Sequence, residues 1–269
     1  MSVKLIASDL DATFLRDDKT FNEALFQEVL DKLHAQDIQF VVATGNHVQK
    51  VHDYFKHFAG QYQLIANNGA EVIINGELAH VWDVPHSALA TVAQLTDKYT
   101  DQLELGVAFV AANQSFMIIK RPSEKYLKLA HAYFENLQII DDVSEIDEPI
   151  LKISLVLPHA ANEFMQDVKT VLGSKIHVTT SGYGAIDIDI VNPEVNKATA
   201  LSFMADKLNI APADIMAFGD GLNDLEMLEY VGHPVAMTNS DPEILNRSFA
   251  LSVANNNHDG VLKTILEKI

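Results

Sequence analysis

The chain has 269 residues, 48% of them hydrophobic, no cysteine, and 19 Lys+Arg against 37 Asp+Glu, a formal charge of −18. That hydrophobic share excludes a disordered chain. The missing thiols exclude a disulfide framework, a thiolate zinc site and a cysteine nucleophile, and the acidic excess argues against nucleic acid as a partner, because that binding needs a basic footprint.

In chain order, Val3–Ser8 is a short apolar run that stops at Asp9, a buried strand. Phe21–Gln36 carries Leu25, Val29, Leu30 and Leu33 at helical spacing. Ile38–Ala43 is a second strand, His47–Phe58 a helix and Gln63–Ala66 a third strand. This strand–helix order predicts parallel pairing with right-handed crossovers. Glu71–Ile74 and Leu78–Trp82 flank Asn75-Gly76 and read as a hairpin. From Asp83 to Gly184 the order changes to helix 87–99, strands 105–109 and 116–119, helix 123–136, strand 151–157, helix 160–172 and strand 175–179. The first pattern then resumes, with strand 186–191, helix 197–208, strand 215–218 and helices 222–230 and 261–268. The expected fold is α/β: a Rossmann-like parallel-sheet core made of residues 1–82 and 186–269, interrupted by an inserted α+β cap domain at 83–185. The core carries −13 of the charge and the cap −5. Asp141–Glu148 accounts for the cap's acidic excess and reads as a solvated loop. No apolar run nears the ~18 residues that span a bilayer, and Met1–Ser8 is too short for a secretory core. The expectation is a cytoplasmic chain without a membrane partner.

In open parallel sheets, ligands bind at the carboxyl ends of the strands. The residues there are Asp9, Asp11 and Thr13; Thr44, Gly45 and Asn46; Asn67, Asn68 and Gly69; and Gly219, Asp220, Gly221, Asn223 and Asp224. Lys197 opens the helix after the strand at 186–191. Four carboxylates, Asp9, Asp11, Asp220 and Asp224, are expected to converge. Such a cluster needs a cation to stay ionised, and an all-oxygen donor set selects Mg²⁺ before Ca²⁺ or Zn²⁺. Lys197, the Thr44 hydroxyl and the loop N–H groups suit a phosphoryl group. In Asp9-Leu10-Asp11, a sharp turn would let one carboxylate face the metal and the other a leaving group. A carboxylate nucleophile beside a carboxyl proton donor fits covalent phosphoryl transfer.

With these pieces in order, the chain resembles the haloacid dehalogenase-like (HAD) hydrolases, specifically the Cof-type phosphatases with a large α/β cap (type IIB). The resemblance rests on Asp9-Leu10-Asp11-Ala12-Thr13, Ala43-Thr44-Gly45, Asn68-Gly69-Ala70, Lys197-Ala198-Thr199-Ala200-Leu201, Gly219-Asp220-Gly221-Leu222-Asn223-Asp224 and Asp259-Gly260-Val261. It implies a Mg²⁺-dependent phosphatase for small phosphorylated metabolites such as sugar phosphates. By it, Asp9 is a nucleophile that forms an aspartyl-phosphate, and Asp11 is the acid and later the base. The metal ligands would be the side chains of Asp9 and Asp220 and the carbonyl of Asp11. Thr44, Gly45, Lys197 and Asn223 would serve the phosphoryl group, with Asp224 and Asn223 supporting the metal shell and Lys197. The cap would close over the site and choose the substrate.

Three positions depart from the family pattern. Ala12 and Ala198 stand where Gly is usual, and Asn46 where Arg is usual. Ala12 is a mild change if its φ is negative, Asn46 removes a cation, and Ala198 at a helix start is harmless. A phosphomutase or phosphotransferase using the same aspartyl-phosphate, and a non-enzymatic phospho-acceptor module, remain open as alternatives. Asn67 reads as a turn residue, His47, His52 and His57 as surface groups, His86 and His131 as cap residues that could meet a substrate, Trp82 as packing, and Lys120, Arg121, Lys125 and Lys128 as a solvated basic face. Oligomeric state is open.

Overall fold

A computed structural model describes residues 3–120, 123–134, 136–181 and 187–269. Arg121, Gly184 and position 186, all mentioned above, lie outside these. The chain forms two compact units, one of Met1–His80 with Val195–Ile269 and one of Val81–Glu194.

The first unit begins with β1 (Leu5–Ser8), α1 (Glu23–Ala35), β2 (Gln39–Ala43), α2 (Val48–Tyr54), β3 (Gln63–Ala66), β4 (Glu71–Ile74) and β5 (Glu77–Val81). The second holds α3 (His86–Leu95), β6 (Val107–Val110), β7 (Ser115–Ile118), α4 (Glu124–Tyr133), β8 (Leu137–Ile139), β9 (Lys152–Val156), α5 (Ala161–Leu172), β10 (His177–Ser181) and β11 (Asp187–Val191). The first unit resumes with α6 (Lys197–Leu208), β12 (Ile215–Gly219), α7 (Leu225–Tyr230), β13 (His233–Ala236), α8 (Pro242–Leu245), β14 (Ala250–Leu251) and α9 (Gly260–Lys268).

Its sheet runs β14-β13-β12-β1-β2-β3-β4-β5. From β14 to β3 the pairs are parallel, and β4 is antiparallel to β3. β1 is central and all four of its residues are buried, as a strand covered on both faces must be. It pairs with β12 in the register Ser8↔Phe218 and with β2 in the register Ser8↔Val42. That register brings residues 9, 44 and 220 to one edge of the sheet. Beneath that edge lies an aromatic core. Phe14 packs at 5.0–5.9 Å between ring centroids against Phe21, Phe26, Phe40 and Phe55. Aromatic pairs at such distances add about 0.5–1.5 kcal/mol each beyond burial, so the end of the loop after β1 is firmly seated. Between β4 and β5, Asn75 and Gly76 both have positive φ (53° and 79°), the conformation of a two-residue hairpin turn.

The second unit has a sheet in the order β10-β11-β9-β6-β7-β8, antiparallel except for β7 with β8. Val107, Phe109, Ile153, Leu155, Ile188 and Ile190 alternate onto one face and pack with α3 and α5 residues such as Leu89, Val92, Phe164 and Val168. Ala108 and Met117 face the other way and pack with Ala130 of α4. The acidic segment 141–148 keeps Asp141, Asp142, Glu145 and Asp147 exposed, and its backbone is also capped. Asp142 and Glu145 form a reciprocal capping box around the turn Val143–Glu145, and Val143, Ile146 and Ile150 are buried beneath it. Where the chain enters and leaves this unit, the Asn192 side chain donates to the Asp83 carbonyl (2.9 Å) and Trp82 Nε1 to Glu194 (3.3 Å). Among the described residues, no helix is long and apolar enough to cross a membrane.

Candidate active site

Asp9 follows β1 directly. Its N–H donates to the Phe218 carbonyl (3.0 Å), which prolongs the β1–β12 ladder by one residue and fixes the aspartate's backbone. The chain then makes one wide turn over Leu10–Phe14, closed by the Leu15 N–H on the Leu10 carbonyl (2.8 Å). Within it Asp11 is extended and Ala12 is left-handed, with φ +59°. Ala12 is therefore not the mild departure expected for a negative φ, because its Cβ crowds the backbone in this region. The Asn239 side chain donates to the Ala12 carbonyl (2.8 Å) and helps hold the turn.

The turn sends the two carboxylates different ways. Asp9 is buried and accepts from Lys197 Nζ (2.6 Å). Asp11 is half-exposed; its Oδ1 accepts from Lys19 (2.6 Å) and its Oδ2 from the Asn46 amide (2.7 Å). Burial pushes the Asp11 carboxyl up, but the hydrogen bonds from Lys19 and Asn46 outweigh it and hold the group below its ordinary range. The expected four-carboxylate cluster is thus corrected to three: Asp9, Asp220 and Asp224 can place an oxygen each within 4.8 Å of one another. The Asp11 carboxylate is drawn away by two donors.

Lys197, at the start of α6, is fully buried and spans Asp9 and Asp224, 2.6 Å from each. Burial would lower its pKa, yet the two carboxylates outweigh that and keep the ammonium protonated beyond its usual range. Asn196 caps α6 by accepting from the Thr199 N–H (2.7 Å). The other Asp224 oxygen accepts from the N–H groups of Asp220 and Gly221 (both 3.0 Å), so Asp224 ties the lysine to the loop after β12. Asp220 accepts from the Thr13 hydroxyl (2.5 Å).

The three-carboxylate set contains oxygen donors only, which fits a hard divalent ion. Its electrostatics agree. Burial pushes Asp9 up to about 7, with Asp224 and Asp220 adding to the rise and Lys197 opposing it. Burial likewise pushes Asp220 up to about 6 against the Thr13 hydrogen bond. One lysine does not offset three carboxylates, and a cation would.

After β2, Thr44 is buried, and its Oγ1 accepts from the Asn46 N–H (3.1 Å) and side-chain amide (3.0 Å). Gly45 leaves room for Asn68: a Cβ there would lie 2.9 Å from the Asn68 side-chain oxygen. Asn223 donates to that same oxygen (3.1 Å) and is exposed, so it reaches the loop after β3 and not the carboxylates. In that loop Asn67, Asn68 and Gly69 all have positive φ (50°, 56° and 106°). A Cβ on Gly69 would lie 2.3 Å from the Asn196 carbonyl. The loop therefore supports the start of α6 and, through it, Lys197. Asn67 is a turn residue, and its amide also donates to buried Glu71 (2.5 Å), whose carboxyl burial pushes up.

Five participants escape the sequence reading: Lys19, Lys50, Glu71, Asn196 and Asn239. Asn46 does remove a cation from its own position, but Lys50 Nζ lies 2.7 Å from the Asn46 oxygen, so a cation remains beside it; the charge of Lys19 is offset by Asp11, on which it sits. A helical (i, i+4) spacing links Asn46 to Lys50 and could have marked it. Nothing in the spacing marks Lys19. In the second unit Lys120 pairs with Asp97 (2.6 Å), and Lys125 and Lys128 are exposed.

Three comparisons with known proteins agree with this geometry. A model of the haloacid dehalogenase-like hydrolases matches residues 6–265. The 5-amino-6-(5-phospho-D-ribitylamino)uracil phosphatase YbjI of Escherichia coli (strain K12) is 30% identical over 98% of this chain and 96% of its own. The HMP-PP phosphatase of Cronobacter sakazakii is 30% identical over 90% and 86%. The crystal structure of SMU.1108c from Streptococcus mutans UA159 superposes with a TM-score of 0.81 at 26% identity, covering 99% of this chain and 98% of that one. The strand-end carboxylates, the buried lysine between them and a family match over nearly the whole length lead to one conclusion: this chain belongs to the haloacid dehalogenase-like hydrolase family.

Proposed function

We propose that the protein is a Mg²⁺-dependent phosphatase that hydrolyses phosphomonoesters of small metabolites through a covalent aspartyl-phosphate on Asp9. The observation that carries this reading is the buried Asp9–Lys197–Asp224 chain beside Asp220. The oxygens of Asp9 and Asp220 and the Asp11 carbonyl would hold Mg²⁺, which would neutralise phosphoryl charge and orient the group.

Asp9 attacks phosphorus as the P–O bond to the leaving group breaks. Lys197 favours the ionised form of Asp9 and holds it in line, and its ammonium would also face the phosphoryl oxygens. Thr44 presents its hydroxyl proton to the same oxygens, since its own lone pairs already accept from Asn46. Asp11 gives a proton to the leaving oxygen and then takes one from the water that hydrolyses the aspartyl-phosphate. Asp11 is ionised in the arrangement described, and the negative charge of an arriving phosphoryl group raises its pKa so that it can carry that proton. Two curated relatives named as phosphatases of small phosphorylated compounds support this substrate class.

The test is release of inorganic phosphate from p-nitrophenyl phosphate and from a panel of phosphorylated metabolites. Activity that requires Mg²⁺ and vanishes in Asp9→Asn is expected. Full activity in Asp9→Asn would overturn the mechanism.

A further inference from the structure

The Asp11 carboxylate is gripped from two sides, and the two grips differ. On Oδ2 the Asn46 amide donates at 2.7 Å, itself shared with Thr44 Oγ1 and braced by Lys50. On Oδ1 the donor is Lys19, at 2.6 Å. An exposed lysine pair ordinarily contributes about 0–1 kcal/mol and fixes nothing.

Lys19 is unlike an ordinary surface lysine in how its backbone is built. Its φ is +64°, a region that L-residues other than Asn and Asp seldom enter. A tight loop imposes it. The Arg16 N–H donates to the Thr20 carbonyl and the Lys19 N–H to the Arg16 carbonyl, both at 2.9 Å. Asp18 accepts from the Thr20 N–H and hydroxyl at 3.0 and 2.6 Å. The loop is fastened at its base, where Arg16 pairs with Asp259 (2.8 Å) and Asp17 accepts from Asn256 (3.0 Å) and Asn257 (2.9 Å). A strained residue held by a loop with that many ties points to a role for its side chain, and the side chain ends on Asp11.

We propose that Lys19 is a positioning residue for Asp11: with Asn46 it fixes the plane of the carboxyl group so that the proton passes to the leaving oxygen along one direction. The proposal rests on the acid role given to Asp11 above. In the step, the Asp9 oxygen–phosphorus bond forms and the phosphorus–leaving-oxygen bond breaks. The Asp11 proton goes to that oxygen, and Lys19 keeps all its protons. The contribution of Lys19 should therefore scale with how much the leaving group needs a proton.

The test compares Lys19→Met with the wild-type chain, with Mg²⁺ present, on p-nitrophenyl phosphate and on an alkyl monoester such as a hexose 6-phosphate. The quantity read is kcat/KM, which ends at departure of the leaving group and excludes the later hydrolysis. A nitrophenolate leaves unaided, whereas an alkoxide does not. Lys19→Met should leave kcat/KM on the aryl ester within about twofold and lower it on the alkyl ester roughly tenfold, a part of the roughly 10²–10⁴ that a placed acid contributes. Lys19→Arg should restore most of the loss. In an Asp11→Asn background, Lys19→Met should have no further effect on the alkyl ester.

Equal losses on both esters, no loss on either, a gain on the alkyl ester, or additive losses with Asp11→Asn would overturn the proposal. So would a wild-type chain that cleaves only the aryl ester. A wild-type chain inactive on both esters, and on the whole metabolite panel, would instead overturn the phosphatase reading itself.

Discussion

Replacing Ala12 by glycine should stabilise this protein, although it deletes a methyl group next to a candidate catalytic residue. Ala12 sits at φ +59°, ψ 4°, where an L-residue costs about 1–2 kcal/mol relative to its preferred regions. Glycine escapes that cost but brings back about 0.4–1 kcal/mol of freedom in the unfolded chain. The balance favours the Ala12→Gly variant by about 0.5–1 kcal/mol, and for a domain of this size that raises Tm by about 1–4 °C. Ala12→Val should shift Tm the other way, since a β-branched side chain fits this region worse than alanine. Calorimetry suits the measurement. The protein's one tryptophan, Trp82, lies in the Val81–Glu194 unit, so its fluorescence serves as a control that should not move if the units melt separately. An unchanged or lowered Tm in Ala12→Gly would refute the strain argument.

Three further outcomes follow from the site. Gly69→Ala places a Cβ 2.3 Å from the Asn196 carbonyl at φ +106°, so it should cost about 2 kcal/mol or more and displace Lys197, read as a lower denaturant midpoint together with lost phosphatase activity. Lys197→Met leaves Asp9 and Asp224 buried without their cation, and the loss should approach about 3–5 kcal/mol near pH 8; denaturation at about pH 5, below the raised value of Asp9, should show a smaller loss because a protonated Asp9 no longer needs the cation. Asp9 and Asp220 have folded values raised to about 7 and about 6, so the folded metal-free chain binds more protons than the unfolded one between about pH 4 and pH 7. Its stability from these groups therefore falls as pH rises through that window, and Mg²⁺ must compete with protons at its lower end. The increase in Tm on adding millimolar Mg²⁺ should accordingly be larger at about pH 8 than at about pH 5.5, and an increase independent of pH would contradict the three-carboxylate site.

The parts of the molecule legible in the sequence are those encoded locally. Buried strands such as Leu5–Ser8 are continuous apolar runs, and the groups after them, Asp9, Thr44 and Asp220, lie at one sheet edge because parallel pairing leaves no other place. The direction of Asp11 was not legible. It depends on the left-handed Ala12, held by Asn239 from more than two hundred residues away, and on Lys19 and Asn46. The strands β8, β13 and β14 also escaped, because two are only two or three residues long and His233–Ala236 opens on His and Pro, so none makes a continuous apolar run. The acidic stretch 141–148 is solvated as its charges suggest, with Asp141, Asp142, Glu145 and Asp147 exposed, but its function as a cap shows only once Asp142 and Glu145 are seen to accept backbone hydrogens.

The hydrogen bonds that join Asp83 to Asn192 and Trp82 to Glu194 bear on how the chain reaches its native state. The pairing of β1 with β12 closes a very long loop, and more than half of that loop is the Val81–Glu194 unit. Once that unit has folded, its ends are adjacent, and it no longer counts toward the length to be closed. Halving a loop lowers its closure entropy by about 0.6 kcal/mol. A pulse of hydrogen exchange during refolding should then find amides of β9 and β11 protected before those of β1. A domain placed in the middle of another is thus tolerated at small entropic cost, because its own two ends meet.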